Sequence, residues 1–546
     1  MSYGIESVPV ELDPNSQAQK PRHAEFSRPK FLKLSNDDVE KGRDHFTREI
    51  LYPGNGATKE PLPWNAGYAE VINAGKSDKN EDQSWIFAGV MISESGSKQL
   101  RPSKEYMGTS LAKREDSIAV VMFGVCDGHA GWGAALYVSK VLAVRISERL
   151  EAIKHFLFKS IETGSELIYK SPDKAYAPGD VIPTEMQETI TTENLVTGVL
   201  EECFRELDDE IRRSLSTYDI TGGCTCLVVL FMLGKVYVAN AGDCRAILVR
   251  KKKQGGYCFE ELSQDHNPIT DRQRVQSIAY LQPELLGQYY GRLELERRAR
   301  KKDVEKNEDG KPTRLLFRDA YMRGWARRDV TEENVNKIPM VIGRDKRARL
   351  LSTIGTTRGF GDHDLTCQSG MYIKPFMTSG PEITVYRLTE REHTPDDVII
   401  LASDGLWECL TNKEAVDSVS GTLAKFLVDD PMRYIQTAVE LVRKARGEST
   451  ARSWRTPNDE FASMDDISCF VIPVHQHMRA PKTLTSTAAT AKRGADCSDF
   501  IDINAQVINF QTSNNSSEDL SQASDMNILI EFESSVQSLP VDESNV

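Results

Sequence analysis

The sequence predicts an α+β fold in which a strand-rich core is interleaved with amphipathic helices. Short apolar runs rich in β-branched residues indicate buried strands at Ile118–Val125, Val398–Ala402 and Ile467–Val474. Apolar residues that repeat near i and i+4 predict helices at Glu193–Leu215 and Tyr434–Ala445. The 546 residues, 39% of them hydrophobic, suffice for one large domain or two ordinary ones.

The stretch Ile118–Gly131, IAVVMFGVCDGHAG, joins a predicted strand to chemically useful side chains. The strand is predicted to end at Asp127, Gly128 and His129, and an amphipathic helix follows from Ala134. A carboxylate offers hard oxygen ligands to a divalent cation, a glycine lets its carbonyl approach a metal closely, and an imidazole carries a proton near neutral pH. Taken alone, a tight turn with an aspartate N-cap accounts for this triplet equally well.

Residues 1–66 are rich in proline, asparagine, aspartate and lysine, which predicts a loosely ordered N-terminal leader, with a short helix allowed within Phe31–Ile50. Strands are then predicted at Tyr68–Asn73 and Trp85–Val90. Between them lies the polar segment GKSDKNEDQ, residues 75–83. Either an ordinary hairpin loop or a functional site loop accounts for such a polar cluster.

Residues 155–192 contain three prolines and little periodicity, which predicts an insertion or a long loop. Beyond the helix at 193–215, strands are predicted at Cys226–Leu233 and Val236–Asn240. Gly234-Lys235 fits the two-residue hairpin turn between them. Asp243 follows the second strand and is a further acid at a strand end.

The segment 269–350 differs in charge from the rest of the chain. It carries 20 lysines and arginines against 13 aspartates and glutamates, a net charge of +7, whereas the whole chain carries −13. Its most highly charged run, Leu293–Lys306, is interpreted as a solvated helix. The segment as a whole predicts a basic surface that recognises a partner.

The strand Val398–Ala402 leads directly into Asp404, and helices are predicted at Leu406–Asn412 and Lys413–Leu427. Asp465 precedes the last strand. Residues 475–546 are rich in serine, threonine, asparagine and aspartate, which predicts a disordered C-terminal tail in which NILIEF (527–532) could serve as a docking element. We therefore expect a leader at 1–66, a globular domain at 67–474 with the basic insert at 269–350, and a tail at 475–546.

Composition excludes several classes of protein. The net charge of −13 argues against generic nucleic-acid binding. The ten cysteines include no C-x-x-C pair, which argues against a zinc site and a disulfide framework and favours a reducing cytoplasmic or nuclear compartment. The apolar runs are too short to span a bilayer, and neither a secretory signal nor a myristoylation glycine is expected.

Carboxylates at the ends of buried strands indicate a metal centre. Asp127, Asp404 and Asp465 each flank a predicted strand, and Asp243 adds another acid. Clustered carboxylates repel one another unless cations neutralise them, and ligands that are all oxygen favour Mg²⁺ or Mn²⁺ over Zn²⁺. Several acids suit two metals about 3.5–4 Å apart, an arrangement that serves phosphate-ester hydrolysis.

At this point the sequence resembles the protein phosphatase 2C family of metal-dependent serine/threonine phosphatases. The motifs occur in the family's order between about residues 67 and 474, and the insert and the polar loop look most like the subgroup of protein phosphatases 1H, 1J and 1M. The resemblance implies a central β-sandwich flanked by helices, with the metal centre at one edge. The matching motifs are Asn80-Glu81-Asp82, Phe123–Gly131, Gly223-Cys224-Thr225, Asn240–Arg245, Asp265–Pro268, Thr357–Asp362, Ala402–Trp407 and Asp465–Ser468.

The resemblance also implies roles for individual residues. Asp127 would bridge two metals, the Gly128 carbonyl would bind the first, and Asp404 and Asp465 would bind the second. His129 would be the general acid that protonates the departing serine or threonine oxygen. The other implied roles belong to acids: Glu81 and Asp82 would position metal-bound waters, and Asp243 would help to hold a third, weaker metal.

The chain departs from the family pattern at two positions. Many members place a phosphate-binding arginine before the Glu-Asp pair, whereas this chain offers Lys76 and Lys79, which bind phosphate only as point charges. Glu408 stands where an aspartate is common, which affects the third metal. A catalytically weak binding module of the same fold and a two-metal phosphodiesterase therefore stay open as alternatives.

For partners, the resemblance implies phosphorylated proteins, with phosphorylated small GTPases as candidates, acted on by a monomer or a weak dimer. No nucleic-acid partner and no transmembrane segment are expected.

Overall fold

Two antiparallel sheets face each other at the centre of the molecule. The computed structural model describes residues 26–41, 49–54, 61–72, 75–77, 80–93, 117–170, 189–218, 220–305, 310–450, 454–456 and 459–475. The strands in chain order are β1 (Gly67–Val71), β2 (Gln83–Ile92), β3 (Ser117–His129), β4 (Leu167–Lys170), β5 (Thr189–Thr191), β6 (Gly223–Met232), β7 (Lys235–Ala241), β8 (Arg245–Lys251), β9 (Tyr257–Glu261), β10 (Tyr290–Leu295), β11 (Arg314–Asp319), β12 (Ala326–Asp329), β13 (Ile338–Ile342), β14 (Arg349–Leu350), β15 (Phe360–Gly361), β16 (Glu382–Arg387), β17 (Val398–Ala402), β18 (Glu448–Ser449), β19 (Trp454–Arg455) and β20 (Ile467–Pro473).

Helices cover the outer faces of both sheets. The helices in chain order are α1 (Asn36–Lys41), α2 (Gly133–Ala152), α3 (Lys154–Thr163), α4 (Thr192–Tyr218), α5 (Arg272–Leu281), α6 (Lys301–Val304), α7 (Glu332–Asn336), α8 (Asp404–Trp407), α9 (Asn412–Leu423) and α10 (Arg433–Arg446). In the part of the chain that the structure describes, no helix is both long and apolar enough to cross a membrane.

The first sheet has the strand order β16-β7-β6-β3-β2, with β15 beside β6, and the second has the order β1-β20-β17-β8-β9. Side chains of both sheets meet in one inner core, which includes Phe123 and Val229 from the first and Leu401 and Phe470 from the second. The outer face of the first sheet packs on α2 and α4, and that of the second packs on α9 and α10. The predicted α+β sandwich flanked by helices is confirmed.

Strand β3 is longer than its apolar run predicted. It continues through Asp127, Gly128 and His129, which pair with Thr225, Cys224 and Gly223 of β6. The prediction that the strand ends in a turn at this triplet was therefore wrong. Alternation explains the consequence: Phe123 and Val125 face the inner core, so Asp127, two residues further on, lies on the same face at the edge of the sandwich.

Several other local predictions need correction. The β6–β7 hairpin turns at Leu233-Gly234, both with positive φ (53° and 70°), and Lys235 already belongs to β7. A type I′ turn requires this geometry at both central residues. The segment 155–192 is no plain loop, since it contains most of α3 together with β4 and β5. Likewise, the helix predicted at Leu406–Asn412 is the short α8, and α9 ends at Leu423.

The basic insert folds around its own sheet, with the strand order β12-β11-β10-β13-β14. The run Leu293–Lys306 is not one solvated helix: it contains the end of β10 and the one-turn α6, and Leu295, Ala299 and Asp303 are buried. The buried apolar residues of this run are few and lie between charged residues, so its composition alone predicted a solvated helix.

Part of the insert's positive charge is internal. Glu294 is fully buried and accepts hydrogen bonds from Nε of Arg272 at 2.5 Å and from Nε of Arg318 at 2.8 Å. Arg297 forms two hydrogen bonds of 2.8 Å with the buried Asp303. These cations are paired with buried acids and stabilise the insert, whereas Arg298, Arg300, Lys301 and Lys302 are exposed.

Part of the segment predicted as a loosely ordered leader packs onto the sandwich. The Arg28 side chain is 1% exposed and forms an ion pair with Glu70 of β1, which also accepts a hydrogen bond from Tyr68. Phe31 packs edge-on against Tyr68, with ring centroids 4.8 Å apart. The described part of this segment is therefore structural, while the tail at 476–546, with NILIEF, lies outside the described residues.

Candidate metal centre

The predicted acids converge at one edge of the sandwich because of strand register. Ala402, at the end of β17, pairs with Cys469 near the start of β20 and with Arg245 at the start of β8. Asp404, Asp465 and Asp243 lie just beyond these ends. Asp127 reaches the same edge from β3 in the opposite sheet.

Two groups of carboxylates are close enough to share cations. In Asp127, Asp243 and Asp404 the oxygens lie within 4.8 Å of one another, and the same limit holds for Asp404, Glu408 and Asp465. Asp404 belongs to both groups, and its backbone N–H lies 3.4 Å from Oδ2 of Asp127. The structure thus brings together all the predicted carboxylate ligands and places Glu408 beside them.

The electrostatics of the cluster fit a bound cation. Burial, together with the charges of Asp404, Asp82 and Asp243, raises the pKa of Asp127 well above its ordinary value. Burial and the neighbouring Asp404 raise the pKa of Asp243 to about 7. Oδ1 of Asp404 is buried and has no hydrogen-bond partner among the residues that the structure describes. An unpaired buried oxygen among repelling carboxylates is unfavourable without positive charge, and an all-oxygen donor set suits a hard divalent cation.

The surroundings of Gly128 leave no room for a side chain at this position. A Cβ atom at this position would lie 2.4 Å from the backbone oxygen of Glu81. The loop that carries Glu81 and Asp82 therefore packs directly against the Asp127-Gly128 backbone.

Glu81 and Asp82 lie beside the acidic cluster, and a hydrogen bond holds each of them in place. Oε1 of Glu81 accepts the Gly131 N–H at 2.6 Å, and Oδ2 of Asp82 accepts the Ser403 hydroxyl at 2.7 Å. Burial raises the pKa of both carboxyls, well above the ordinary value for Asp82, where the charge of Asp466 adds to the effect.

His129 contacts an aspartate on a distant loop. Its Nε2 lies 2.7 Å from Oδ2 of Asp362, and the imidazole is one-third exposed while Asp362 is 3% exposed. Burial alone would lower the pKa of His129, but the hydrogen bond and the charge of Asp362 outweigh it and raise the pKa. The ring is therefore biased towards its protonated form.

Lys76 lies at the cluster, in an ion pair with Asp465 and with its side chain half exposed. Partial burial would lower the pKa of Lys76, but the carboxylates of Asp404, Glu408, Asp127 and Asp243 outweigh this effect and raise it. The second predicted phosphate-binding residue, Lys79, lies outside the described residues.

Three residues that support the centre were given no role from sequence. Oδ2 of Asp466 accepts the backbone N–H groups of Glu81 and Asp82, at 2.6 and 3.3 Å. Arg446 donates to the backbone oxygens of Ile72 and Asp465, at 2.7 and 2.5 Å. Asp362 is the third. Asp362 and Asp466 belong to the motifs Thr357–Asp362 and Asp465–Ser468, through which the sequence resembles the family. Arg446 carries no such signal, because it ends an ordinary amphipathic helix.

Comparison with known proteins decides the family. The model of the family "Protein phosphatase 2C" matches residues 89–277 and 335–451. The chain belongs to the protein phosphatase 2C family. Such enzymes are metal-dependent serine/threonine phosphatases, so the predicted activity class is confirmed. Glu81, Asp82 and Asp465 lie outside the matched ranges, as does 278–334 within the insert.

Named relatives cover most of the chain. Protein phosphatase 1H of Xenopus tropicalis is 41% identical over 489 residues, which cover 83% of this chain and 92% of that protein. Protein phosphatase 1J of Mus musculus is 39% identical over 460 residues, which cover 82% and 86%. Among solved structures, serine-threonine phosphatase 2C from Toxoplasma gondii aligns with a TM-score of 0.39 and 17% identity, covering 78% of this chain and 99% of that one.

Proposed function

We propose that the acidic cluster of this protein phosphatase 2C holds two Mg²⁺ or Mn²⁺ ions and hydrolyses phosphoserine and phosphothreonine monoesters on proteins. The observation that carries the proposal is the convergence of Asp127, Asp404 and Asp465 in two carboxylate groups that share Asp404, whose Oδ1 is buried and unpaired among the described residues. A binding module without turnover has no need for so costly an arrangement of charge.

The first ion would be held by Asp127 and the Gly128 carbonyl, and the second by Asp127, Asp404 and Asp465. Asp243, with Glu408 nearby, would hold a third. When bound, such ions supply positive charge that polarises phosphoryl oxygens and lowers the pKa of water. In the part of the chain that the structure describes, both groups of the cluster consist of carboxylates and therefore offer oxygen donors.

The remaining residues bind, orient and move protons. The Lys76 ammonium attracts the phosphate dianion as a point charge. Glu81 and Asp82 accept hydrogen bonds from water and orient it towards phosphorus. His129 gives a proton to the serine or threonine oxygen as the P–O bond breaks, because an alkoxide is a poor leaving group.

The substrate in this proposal is a protein with an acidic or phosphorylated surface, with phosphorylated small GTPases as the candidate class. Support comes from the exposed cations of the insert, which adjoins the centre: Lys346 donates to the backbone oxygen of Trp407 at 2.7 Å, next to Glu408. We also propose a reducing cytoplasmic or nuclear compartment, since all nine cysteines in the described part of the chain are free thiols.

Turnover of a phosphothreonine peptide tests the proposal. Activity should require Mn²⁺ or Mg²⁺, vanish with chelator, and be lost in Asp127→Asn and Asp404→Asn. Asp417→Asn is the matched control, because it removes one exposed carboxylate of α9 that belongs to neither group of the cluster and should retain activity. Activity that survives exhaustive chelation, or near-normal activity in either cluster variant, contradicts the proposal. Faster cleavage of phosphodiesters than of monoesters would contradict the substrate class.

A further inference from the structure

The contact between His129 and Asp362 is not explained by metal binding. Asp362 belongs to neither carboxylate group of the cluster. Its Oδ2 lies 2.7 Å from Nε2 of His129, and the carboxylate is 3% exposed. A hydrogen bond between an ionised carboxylate and an imidazole is charge-assisted and directional, so it fixes the orientation of the ring.

The backbone at Asp362 is built for this contact. Its φ is +53°, in the left-handed region that few residues other than glycine and asparagine or aspartate adopt, and its N–H donates to Gly222 at 3.0 Å. A Cβ at Gly223, the β-pairing partner of His129, would lie 2.3 Å from Oδ2 of Asp362. The left-handed backbone at Asp362 and the missing side chain at Gly223 together make room for the Asp362 carboxylate.

The loop that carries Asp362 is fixed to helix α4. Asp208 of α4 accepts the Gly361 N–H at 2.9 Å and contacts Nε2 of His363 at 3.0 Å. Lys374 adds an ion pair of 2.5 Å with the same carboxylate. Asp208 thus ties the residues on both sides of Asp362 to a 27-residue helix, which gives the carboxylate a fixed position.

We propose that Asp362 is a positioning residue that orients His129 for proton donation to the leaving serine or threonine oxygen. With Nε2 held by Asp362, the other ring nitrogen, Nδ1, is left for the substrate; it has no hydrogen-bond partner in the part of the chain that the structure describes, and the ring is one-third exposed. The proton moves from His129 to the leaving oxygen as the P–O bond breaks. The water that adds to phosphorus releases the proton that restores His129. This inference rests on the proposed function.

The test compares leaving groups, because a general acid matters only when the leaving oxygen is strongly basic. For Asp362→Asn we expect kcat on a phosphothreonine peptide to fall about 10- to 100-fold, which is part of the roughly 100- to 10,000-fold that a general acid contributes. On 2,4-dinitrophenyl phosphate, whose leaving group needs no proton, kcat should change less than about threefold. KM for both esters should stay unchanged. Asparagine tolerates the positive φ, and Asp362→Gly is the second variant, since glycine adopts it freely.

Two comparisons separate positioning from general support of the fold. Asp364→Asn, an exposed carboxylate two residues away, should match the wild type on both esters. In the double variant Asp362→Asn with His129→Ala, the loss on the peptide should equal that of His129→Ala alone, because the two side chains act as one unit.

Equal losses of Asp362→Asn and Asp362→Gly on both esters, or a further loss in the His129→Ala background, would overturn the inference. The proposed function fails differently. If His129→Ala itself shows no dependence on the leaving group, the general acid has been misassigned. If only the Asp362 variants lack that dependence, the positioning role alone is wrong.

Discussion

Lys76 lies at the acidic cluster and, in the proposed function, also binds the phosphate. It stands in the loop before Glu81, where an arginine would bind phosphate through two hydrogen bonds, and it forms an ion pair with Asp465. The Lys76 ammonium next to the Asp465 carboxylate offsets part of the negative charge of the cluster.

We expect Lys76→Ala to raise KM for a phosphopeptide, and the inhibition constant of inorganic phosphate, about tenfold, the effect of roughly 1.4 kcal/mol of lost ion pairing. Lys76→Arg should restore binding. Lys425→Ala, at an exposed lysine after α9, is the control and should leave both constants unchanged. Unaltered constants in Lys76→Ala would make Lys76 an ordinary solvated lysine and direct attention to Lys79.

Asp243 shares a carboxylate group with Asp127 and Asp404, whereas Asp465 belongs to the other group. We expect Asp243→Ala to retain two metals and substrate affinity but to turn over slowly, so that a phosphorylated substrate remains bound through purification. Titration calorimetry with Mn²⁺ and pull-down of the phosphoprotein measure the two properties. A full-speed variant would make Asp243 a turn residue, and loss of affinity would place it among the primary ligands.

The cations of the basic insert fall into two sets: those paired with buried acids and those exposed to solvent. Arg272, Arg297 and Arg318 are paired with buried acids, and only the exposed members of the run around α6 can meet a partner. Charge counting along the sequence could not separate these two sets, since both have the same composition.

Reversal of two exposed charges, Lys301→Glu with Lys302→Glu, should weaken action on a phosphorylated protein substrate several-fold and leave p-nitrophenyl phosphate hydrolysis unchanged. Lys252→Glu with Lys253→Glu makes the same change of charge on the exposed turn between β8 and β9 and is the control. Arg297→Ala should instead lower the stability of the insert, by about 1–3 kcal/mol, because Asp303 is left buried without its partner. If both charge reversals weakened action on the protein substrate equally, the net charge of the protein would account for the effect, and not a local docking surface on the insert.

The sequence predicted the strands of the sandwich better than the segments between them. Val398–Ala402 was predicted to the residue, because a run that is buried on both faces needs continuous apolar residues. The end of β3 was missed because Asp127 and His129 are polar residues in a strand, and only their cross-strand partners on β6 show that the pairing continues. The contacts of Asp362 and Arg446 span long separations along the chain, which local patterns do not encode.

For the whole molecule, the acidic cluster makes the stability of the metal-free protein depend on pH. The pKa of Asp243, about 7 in the folded state, is above its ordinary value of 3.8. The folded state therefore holds this proton more tightly than the unfolded chain, and stability present below about pH 4 is lost as pH rises towards 7. Asp271 and Asp397 have lowered pKa values and act oppositely, since they contribute stability that is lost only in acid.

We expect the melting temperature of the metal-free protein to fall between pH 5 and pH 8, and to fall less in Asp243→Asn, which lacks the titrating group. Excess Mn²⁺ should raise the wild-type value at pH 8, because a ligand that binds only the folded state stabilises it. Thermal scans with and without chelator measure all three effects. An Asp243→Asn variant with the same pH slope as the wild type would contradict this account.

The ion pair between Arg28 and Glu70 determines where the polypeptide can be shortened. A fragment that starts at Gly67, at the predicted domain boundary, keeps Glu70 in β1, buried between the sheets, and discards its cation. Breaking a buried pair in this way costs about 3–5 kcal/mol, a large fraction of the stability of a folded domain. For recombinant expression, the productive start therefore lies upstream of Phe26, although the first strand of the sandwich begins only at Gly67.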